Sequence, residues 1–474
     1  MTVTALIAEY NPFHNGHAYH IREARRLTGA DFLLVLMSGD FVQRGEPAVI
    51  EKSARAEMAV RCGADLVLEL PVCYASGSAE YFAGGAVALL NALHCVDYLC
   101  FGSECGNLAI LQAAARILSA EPDAFRQKLQ KLLRQGLSFP AARQEALAWY
   151  LAQEPSIPVS NVIPDDPSGC HFTDRHAALG GSSDLLRELT SILSQPNNIL
   201  AIEYLKALIM SGSSIKPVTI QRVGGGYHDT AVGELCSATA LRRLFSEIQQ
   251  KDAPASCAAS SGDFPRQLAA SVPAEVCNIL SDSWQRTFPV FPDDFSAMLH
   301  YRLLTAESWQ SYAACFDVPE AAARRIFQMR HAFTSFSSFV QLIKTRNFTE
   351  ALVRRALLHI LLGLPQPEST EPERFPVYYA RILGLRRSSG ALFEQIKKSG
   401  QIPLLSKLAD ADKVISRFYH DSGTSAERAR QMLALDIRSC EIYGAACTAK
   451  FGCPAMSEYT RQIFIMKIPD DNHE

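Results

Sequence analysis

VTALIAEYNPFHNGHAYH, residues 3–20, passes from a short, apolar, partly β-branched run through turn-forming residues into a helical pattern. Val3 to Ala8 reads as a buried strand, and the Asn-Pro and Asn-Gly pairs that follow read as a loop. HAYHIREARRL, residues 17–27, then has the look of a helix. A strand that runs through a short loop into a helix offers free backbone N–H groups and the positive end of a helix dipole, a combination that favours phosphate. Gly16 lets the backbone approach such a ligand closely. His14, His17 and His20 follow one another at three-residue spacing, so all three can turn to one side of the helix. Imidazole N–H groups facing a polyphosphate would stabilise charge that builds up during attack at phosphorus.

Zinc ligation by the three histidines is the competing reading, but no cysteine, aspartate or glutamate stands at ligand spacing beside them, and no resident metal is expected. Packing of His20 beneath the helix is another. NPFHNGH on a strand-to-helix turn resembles the H-x-G-H-type signature of the nucleotidyltransferase superfamily that includes class I aminoacyl-tRNA synthetases. In that signature the histidines meet the phosphates of ATP.

Outward from this unit the alternation continues. DFLLVLMSGDF (31–41) is a strand ending in a Gly-Asp loop, KSARAEMAVRCG (52–63) a helix with a glycine stop, and ADLVLELP (64–71) another strand. AEYFAGGAVALLNAL (79–93) is a helix and VDYLCFGSE (96–104) a strand that ends at Gly102. The rhythm implies an α/β fold, a Rossmann-like, doubly wound parallel sheet, with ligand bound at the carboxyl ends of the strands. The candidate site is therefore built from loops at 9–17, 38–47, 71–80 and 101–105.

The chain has 474 residues, 48% of them hydrophobic, which is enough for a large core and two to four domains. It shows no cleavable leader pattern and no apolar stretch of membrane-spanning length, so secretion and membrane spanning are not expected. Thirteen cysteines without a C-x-x-C pair read as buried thiols in a reducing, cytoplasmic compartment. The sequence names no protein partner. The formal charge of −3 conceals an asymmetry: residues 319–359 carry seven Lys or Arg against two Glu, and 374–407 carry seven against one. Arg354, Arg355, Arg386 and Arg387 fall in these stretches, which suggest a face for a polyanion larger than ATP.

Residues 154–195, irregular and rich in Pro, Gly, Ser and Asp, are expected to be an insertion within a catalytic domain spanning 1–250. QPNNILAIEYLKALI (195–209) reads as a helix opened by its paired asparagines as N-caps. PVTIQRVGGGYHD (217–229) is a strand running into a glycine turn, and CSATALRRLF (236–245) a loop entering a helix. Ser237 and Thr239 at that helix N-terminus, with Arg242 one turn on, could surround a phosphate, although an ordinary N-cap explains Ser237 as well. Paired with NPFHNGH, the turn resembles the superfamily's second signature, which holds departing pyrophosphate. The turn-rich segment 251–264 is the expected linker, and 265–474, with helical apolar spacing, the expected α-helical, basic domain for the polyanion.

The combination of AEYNPFHNGHAYH, SGDFVQRGEPA, GADLVLELP, FGSE, PNNILAIEYLKAL, YHD with SATALR, and YARILGLRR resembles the bacterial tRNA(Met) cytidine acetate ligases over nearly the whole chain. The resemblance implies that ATP and acetate form acetyl-adenylate and that acetyl then passes to N4 of the wobble cytidine, C34, of elongator tRNA(Met). It implies ATP contacts at Ile7, Ala8, Glu9, Tyr10, Asn11, Pro12, Phe13, His14, Asn15, Gly16, His17, Ala18, Tyr19 and His20, and at Gly102, Asn197 and Arg222, with His14 and His17 as catalytic groups. Physically, Gly102 leaves room for adenosine at a strand end, Asn197 can hydrogen-bond it, and Arg222 supplies a fixed charge for phosphate. ATP chemistry calls for Mg²⁺.

Asp40, Gln43 and Arg44 lie at another strand's carboxyl end, where an arginine could hold the acetate carboxylate. Pairing of Arg44 with Glu46 or Glu51 as loop structure is the alternative. Two other classes fit part of the pattern: a small-molecule adenylyltransferase, which has no need of the basic half, and a non-catalytic RNA-binding protein, which has no need of the histidines.

Overall fold

The computed structural model describes residues 1–153, 182–222, 237–251, 266–366, 374–420 and 423–467. Residues 154–181 of the expected insertion, the glycine turn 223–229 and all of the expected linker but Lys251 fall outside the described residues. The chain forms two compact units, one of Met1–Leu99 with Val223–Glu474 and the other of Cys100–Arg222.

The strands are β1 (Val3–Ala8), β2 (Phe32–Ser38), β3 (Phe41–Val42), β4 (Glu46–Pro47), β5 (Leu66–Leu70), β6 (Tyr98–Ser103), β7 (Lys216–Gln221), β8 (Ala380–Arg386), β9 (Leu404–Leu405) and β10 (Phe464–Met466). In the larger unit five of them lie in the order β10-β8-β5-β2-β1, with β9 paired to β8. β1, β2 and β5 run parallel, and their carboxyl ends lead into the loops expected to form the site. Residues Leu33 to Met37 of β2 and Val67, Leu68 and Leu70 of β5 have no exposed surface, as in a sheet covered on both faces. Helix α1 (Asn15–Thr28) follows β1 and ends at Gly29, whose φ of 62° places it in the left-handed region. Helix α2 (Lys52–Arg61) joins the β2 loop to β5.

The basic half is not an all-helical domain of its own. β8 enters the sheet antiparallel to β5, pairing Leu385 with Leu66, and β10 pairs in parallel with β8. The helices Ser296–Thr305, Glu320–Met329, Phe336–Ile343, Glu350–Leu362 and Thr424–Phe451 contribute to one apolar core, which Phe41 and Val72 from the site loops also enter. The Phe41 ring lies 5.6 Å from that of Phe295 and 6.1 Å from that of Tyr443, so the C-terminal helices are the seat on which the β2 loop rests.

Candidate active site

His14 is the N-cap of α1. Its Nδ1 accepts from the Gly16 N–H at 3.0 Å, while His17 Nδ1 accepts from the His14 N–H at 3.2 Å. This is a reciprocal capping box built from imidazoles in place of the usual hydroxyl and carboxylate. The two rings stack with centroids 3.8 Å apart and planes 28° from parallel. With Nδ1 accepting, each neutral ring carries its proton on Nε2, so the cap fixes both tautomers as Nε2–H donors. Gly16 is required for this arrangement, because a Cβ there would lie 2.9 Å from His14 Cε1. Asn15 ties the start of the helix to Ser271 O through its N–H at 3.1 Å and to Ala270 O through its side chain at 2.9 Å.

Around this cap, Tyr10, Asn11, Pro12 and Phe13 are buried, Tyr10 with a φ of 49°. Asn11 Oδ1 accepts from Val49 N at 2.7 Å, binding the first loop to the second. Ile7 and Ala8 end β1 half-buried, half-buried Glu9 follows them, and Ala18, Tyr19 and His20 belong to α1, with His20 half-buried.

The loop after β2 is held from beneath by Arg55, a residue that sequence reasoning missed. Its guanidinium, with no exposed surface, donates to Glu9 O at 2.6 Å, Ser38 O at 3.1 Å and Ile50 O at 2.9 Å, and also to Gly39 O. It thereby ties carbonyls at the ends of β1 and β2 to one just before α2. Asp40 is buried and structural: Oδ1 accepts from Lys52 N at 2.7 Å and its carbonyl from Ala48 N at 2.8 Å. Gln43 donates its backbone N–H to Glu9 Oε1 at 3.0 Å. Glu46 pairs with Arg354 at 3.1 Å and Glu51 with Arg461 at 2.9 Å. Partial burial lowers the Arg44 pKa, Glu9 and Glu46 raise it, and Arg242 lowers it further, which places Arg44 in one electrostatic neighbourhood with Arg242.

Arg242 reaches the first loop, donating to Asn11 O at 2.7 Å and to Thr239 Oγ1 at 3.2 Å. Ser237 Oγ accepts from Ala240 N at 3.1 Å, as an N-cap does. Thus the two sequence signatures meet through Arg242, and Ser237 shapes the turn.

Beneath the loops lies a buried ionic cluster. Lys52 Nζ stands 2.7 Å from Glu69 Oε1, 3.2 Å from Glu458 Oε2 and 2.7 Å from Cys440 Sγ. Arg381 bridges the same two glutamates, and Arg461 pairs with Glu458 at 3.0 Å. Such a cluster fixes geometry more than it adds stability, since desolvation offsets much of the attraction.

In the smaller unit Gly102, Asn197 and Arg222 come together around Glu104. Glu104 accepts from Asn197 N at 3.1 Å, Asn197 Nδ2 at 2.6 Å and Asn198 N at 2.8 Å. The asparagines are not N-caps: Gln195 caps the helix Pro196–Met210, and the Glu104 carboxylate takes up the first-turn N–H groups from outside. Arg222 donates to Asn197 Oδ1 at 3.2 Å, and a Cβ on Gly102 would touch Arg222 Cγ at 3.4 Å.

Of the four arginines expected to face a polyanion, three are engaged within the protein. Arg354 pairs with Glu350 at 3.0 Å as well as with Glu46, and Arg355 pairs with Asp317 at 3.0 Å. A Cβ on Gly45 would stand 2.4 Å from Arg355 N, so this pair braces the loop carrying Arg44. Arg386 donates to Val60 O at 2.9 Å and Ala64 O at 3.2 Å. Arg387 is exposed.

A cap that presents two imidazoles at a helix N-terminus, with arginines beside it, is suited to adenylyl chemistry, and the chain's relatives agree. The profile of the HIGH Nucleotidyl Transferase family matches residues 1–454. The tRNA(Met) cytidine acetate ligase of Acetivibrio thermocellus is 37% identical, covering 98% of this chain and all of that one. The enzyme of the same name from Syntrophotalea carbinolica is 33% identical over 100% and 99% of the two chains. Among solved structures, apo Thermotoga maritima TmcAL superposes with a TM-score of 0.81 at 29% identity, covering 99% of this chain and 100% of that one. TmcAL bound with alpha-thio ATP superposes at 0.78 and 28% identity, with the same coverage. Matched end to end in both sequence and fold, the chain belongs to the tRNA(Met) cytidine acetate ligase family of HIGH nucleotidyl transferases.

Proposed function

We propose that this chain activates acetate with ATP and transfers the acetyl group to N4 of the wobble cytidine (C34) of elongator tRNA(Met). The observation that carries the reading is the His14–His17 cap, which commits both Nδ1 atoms to backbone N–H groups and so sets both Nε2–H groups as donors. An acetate oxygen attacks the α-phosphorus, the bond to the bridging oxygen breaks, and pyrophosphate leaves as acetyl-adenylate forms. Oxide is a prohibitive leaving group from acetate and AMP a good one. The cytidine amine then adds to the acetyl carbonyl, AMP departs, and the amine releases a proton. His14 and His17, with the N-terminus of α1, stabilise charge on the phosphates. Gly102 and Asn197 are assigned to adenosine, Arg222 to phosphate and Arg44 to the acetate carboxylate, with Gln43 beside it and Asp40 holding the loop's shape. Mg²⁺ brought by the nucleotide would supply charge neutralisation at the phosphates that His14 and His17 face. No helix among the described residues is long and apolar enough to cross a membrane.

The test is exchange of labelled pyrophosphate into ATP, with and without acetate and with EDTA, followed by detection of N4-acetylcytidine in tRNA. Acetate-dependent exchange and acetylated tRNA are expected. AMP transfer to a small molecule, or RNA binding without exchange, would assign the chain to the other two classes.

A further inference from the structure

In the larger unit Leu66, Leu385 and Ile465 form one cross-strand row over β5, β8 and β10, each in register with the next. Neighbours in register stand on the same face, so the row is an apolar floor. It opens into a cavity of about 440 Å³ that is walled by Phe393 and rimmed by Arg387 and Lys467. Ile465 is 49% exposed, a large aliphatic side chain uncovered on an edge strand. Lys397 Nζ lies 4.3 Å from the centre of the Phe393 ring.

The two rim cations differ from the arginines that the fold engages. Arg354, Arg355 and Arg386 are consumed by acids and carbonyls, whereas Arg387 and Lys467 are exposed and make no hydrogen bond or ion pair among the described residues. An apolar slot with an aromatic wall and unengaged cations at its mouth matches an unstacked nucleobase flanked by phosphates. A fatty acid would bring a single carboxylate, while the rim offers two cations with Lys397 exposed over the Phe393 wall.

We propose that this cavity binds one base of the substrate tRNA, with Arg387 and Lys467 on the adjacent phosphates. The inference rests on the tRNA reading above and extends it. The occupant is not the acetylated cytidine, because the cavity lies at the amino end of β5, roughly 13 Å along the strand from the loops at its carboxyl end. The protein thereby holds a second point on the RNA, which aligns the substrate and discriminates among tRNAs.

Two variants of the full chain test the proposal. Gly390 lines the cavity in a helical conformation (φ −54°, ψ −42°), and a Cβ there meets nothing within 4 Å, so Gly390→Trp fills the space without backbone strain. Arg387→Ala/Lys467→Ala removes the rim charges from the surface. Each variant is expected to weaken tRNA binding about ten-fold, the scale of one stacked base. The double alanine variant should also flatten the log–log salt dependence by about 1.5, and Gly390→Trp should leave that slope unchanged. Acetate-dependent pyrophosphate exchange should stay within about two-fold of wild type in both. Wild-type tRNA affinity in both variants would overturn the proposal. So would loss of cis-parinarate binding in Gly390→Trp with tRNA affinity intact, which would assign the cavity to an apolar anion. If the wild type binds tRNA without acetylating it, the functional reading falls and the binding comparisons still decide the cavity.

Discussion

Gly45→Ala should uncouple the second site loop from the helix beneath it. Gly45 has a φ of 71°, and a Cβ there would lie 2.4 Å from Arg355 N, 2.5 Å from Arg354 C and 2.7 Å from Arg355 Cα. The left-handed conformation costs a residue with a side chain about 1–2 kcal/mol. Contacts that close, with backbone that cannot swing aside, add an overpacking cost of roughly 1–3 kcal/mol. The total is on the order of 2–5 kcal/mol. Gly29 supplies an internal control, since its φ of 62° is similar but a Cβ there meets nothing within 4 Å. Gly29→Ala should therefore cost only the conformational part. Urea unfolding of both variants, followed on the transition of the larger unit, gives the difference directly. Displacing residues 40–47 also moves Arg44, so Gly45→Ala should raise the KM for acetate in pyrophosphate exchange while Gly29→Ala leaves it unchanged. If the two variants agree within about 0.5 kcal/mol and share the wild-type acetate KM, the loop is not seated as described.

His17→Gln keeps an acceptor for the His14 N–H, as glutamine does in ordinary capping boxes, so it should melt within a few degrees of wild type yet lose pyrophosphate exchange by about 10²-fold or more. Arg222→Ala should weaken ATP binding in calorimetry by roughly 1.5–3 kcal/mol, Asn197→Ala by less, and the double variant by less than their sum, because Asn197 positions Arg222. Stability should also follow pH through two buried carboxyls. Burial raises the Glu458 pKa, but Lys52 and Arg381 outweigh it and hold the group at about 2 against 4.5 unfolded, so its contribution is whole above pH 4.5 and is lost as pH falls toward 2. Burial, and then Glu69, push Asp436 up to about 7 against 3.8 unfolded, so its contribution is whole below 3.8 and is lost as pH rises through 7. Thermal melts across pH should show both slopes, and Asp436→Asn should remove only the second.

The first strand, loop and helix were legible because their signals are local: an apolar run, turn pairs and a helical pattern within a few residues of one another. The part played by the histidines in closing their own helix was hidden, because a capping box is ordinarily read from Ser, Thr, Glu and Gln. β8 escaped detection as a strand of the sheet because Ala380 to Gly384 are all buried, leaving no alternation, and the partner strand's Leu66 lies more than three hundred residues earlier. The pairing of Arg354 with Glu350 could be read from its i,i+4 spacing, but Glu46 and Asp317 approach only through tertiary folding. Composition likewise places Lys and Arg outside, so nothing in the sequence marked Lys52 and Arg55 as buried supports of the loops. The charge asymmetry was real, and most of it is spent inside the protein.

The ionic cluster under the second loop has a consequence for how the enzyme comes into being on the ribosome. Lys52 and Cys440 are 388 positions apart, and Ser53 and Arg461 are 408 apart. At roughly 5–20 residues per second, the amino-terminal loops wait about 20–80 s for the segment that locks them. For most of that interval Lys52 and Glu69 have emerged without Arg381, and until its end without Glu458 and Arg461. A nascent or prematurely terminated chain that stops short of Glu458 lacks a carboxylate that holds Lys52 beneath the second loop. The second loop is thereby locked only in chains whose translation has passed Arg461.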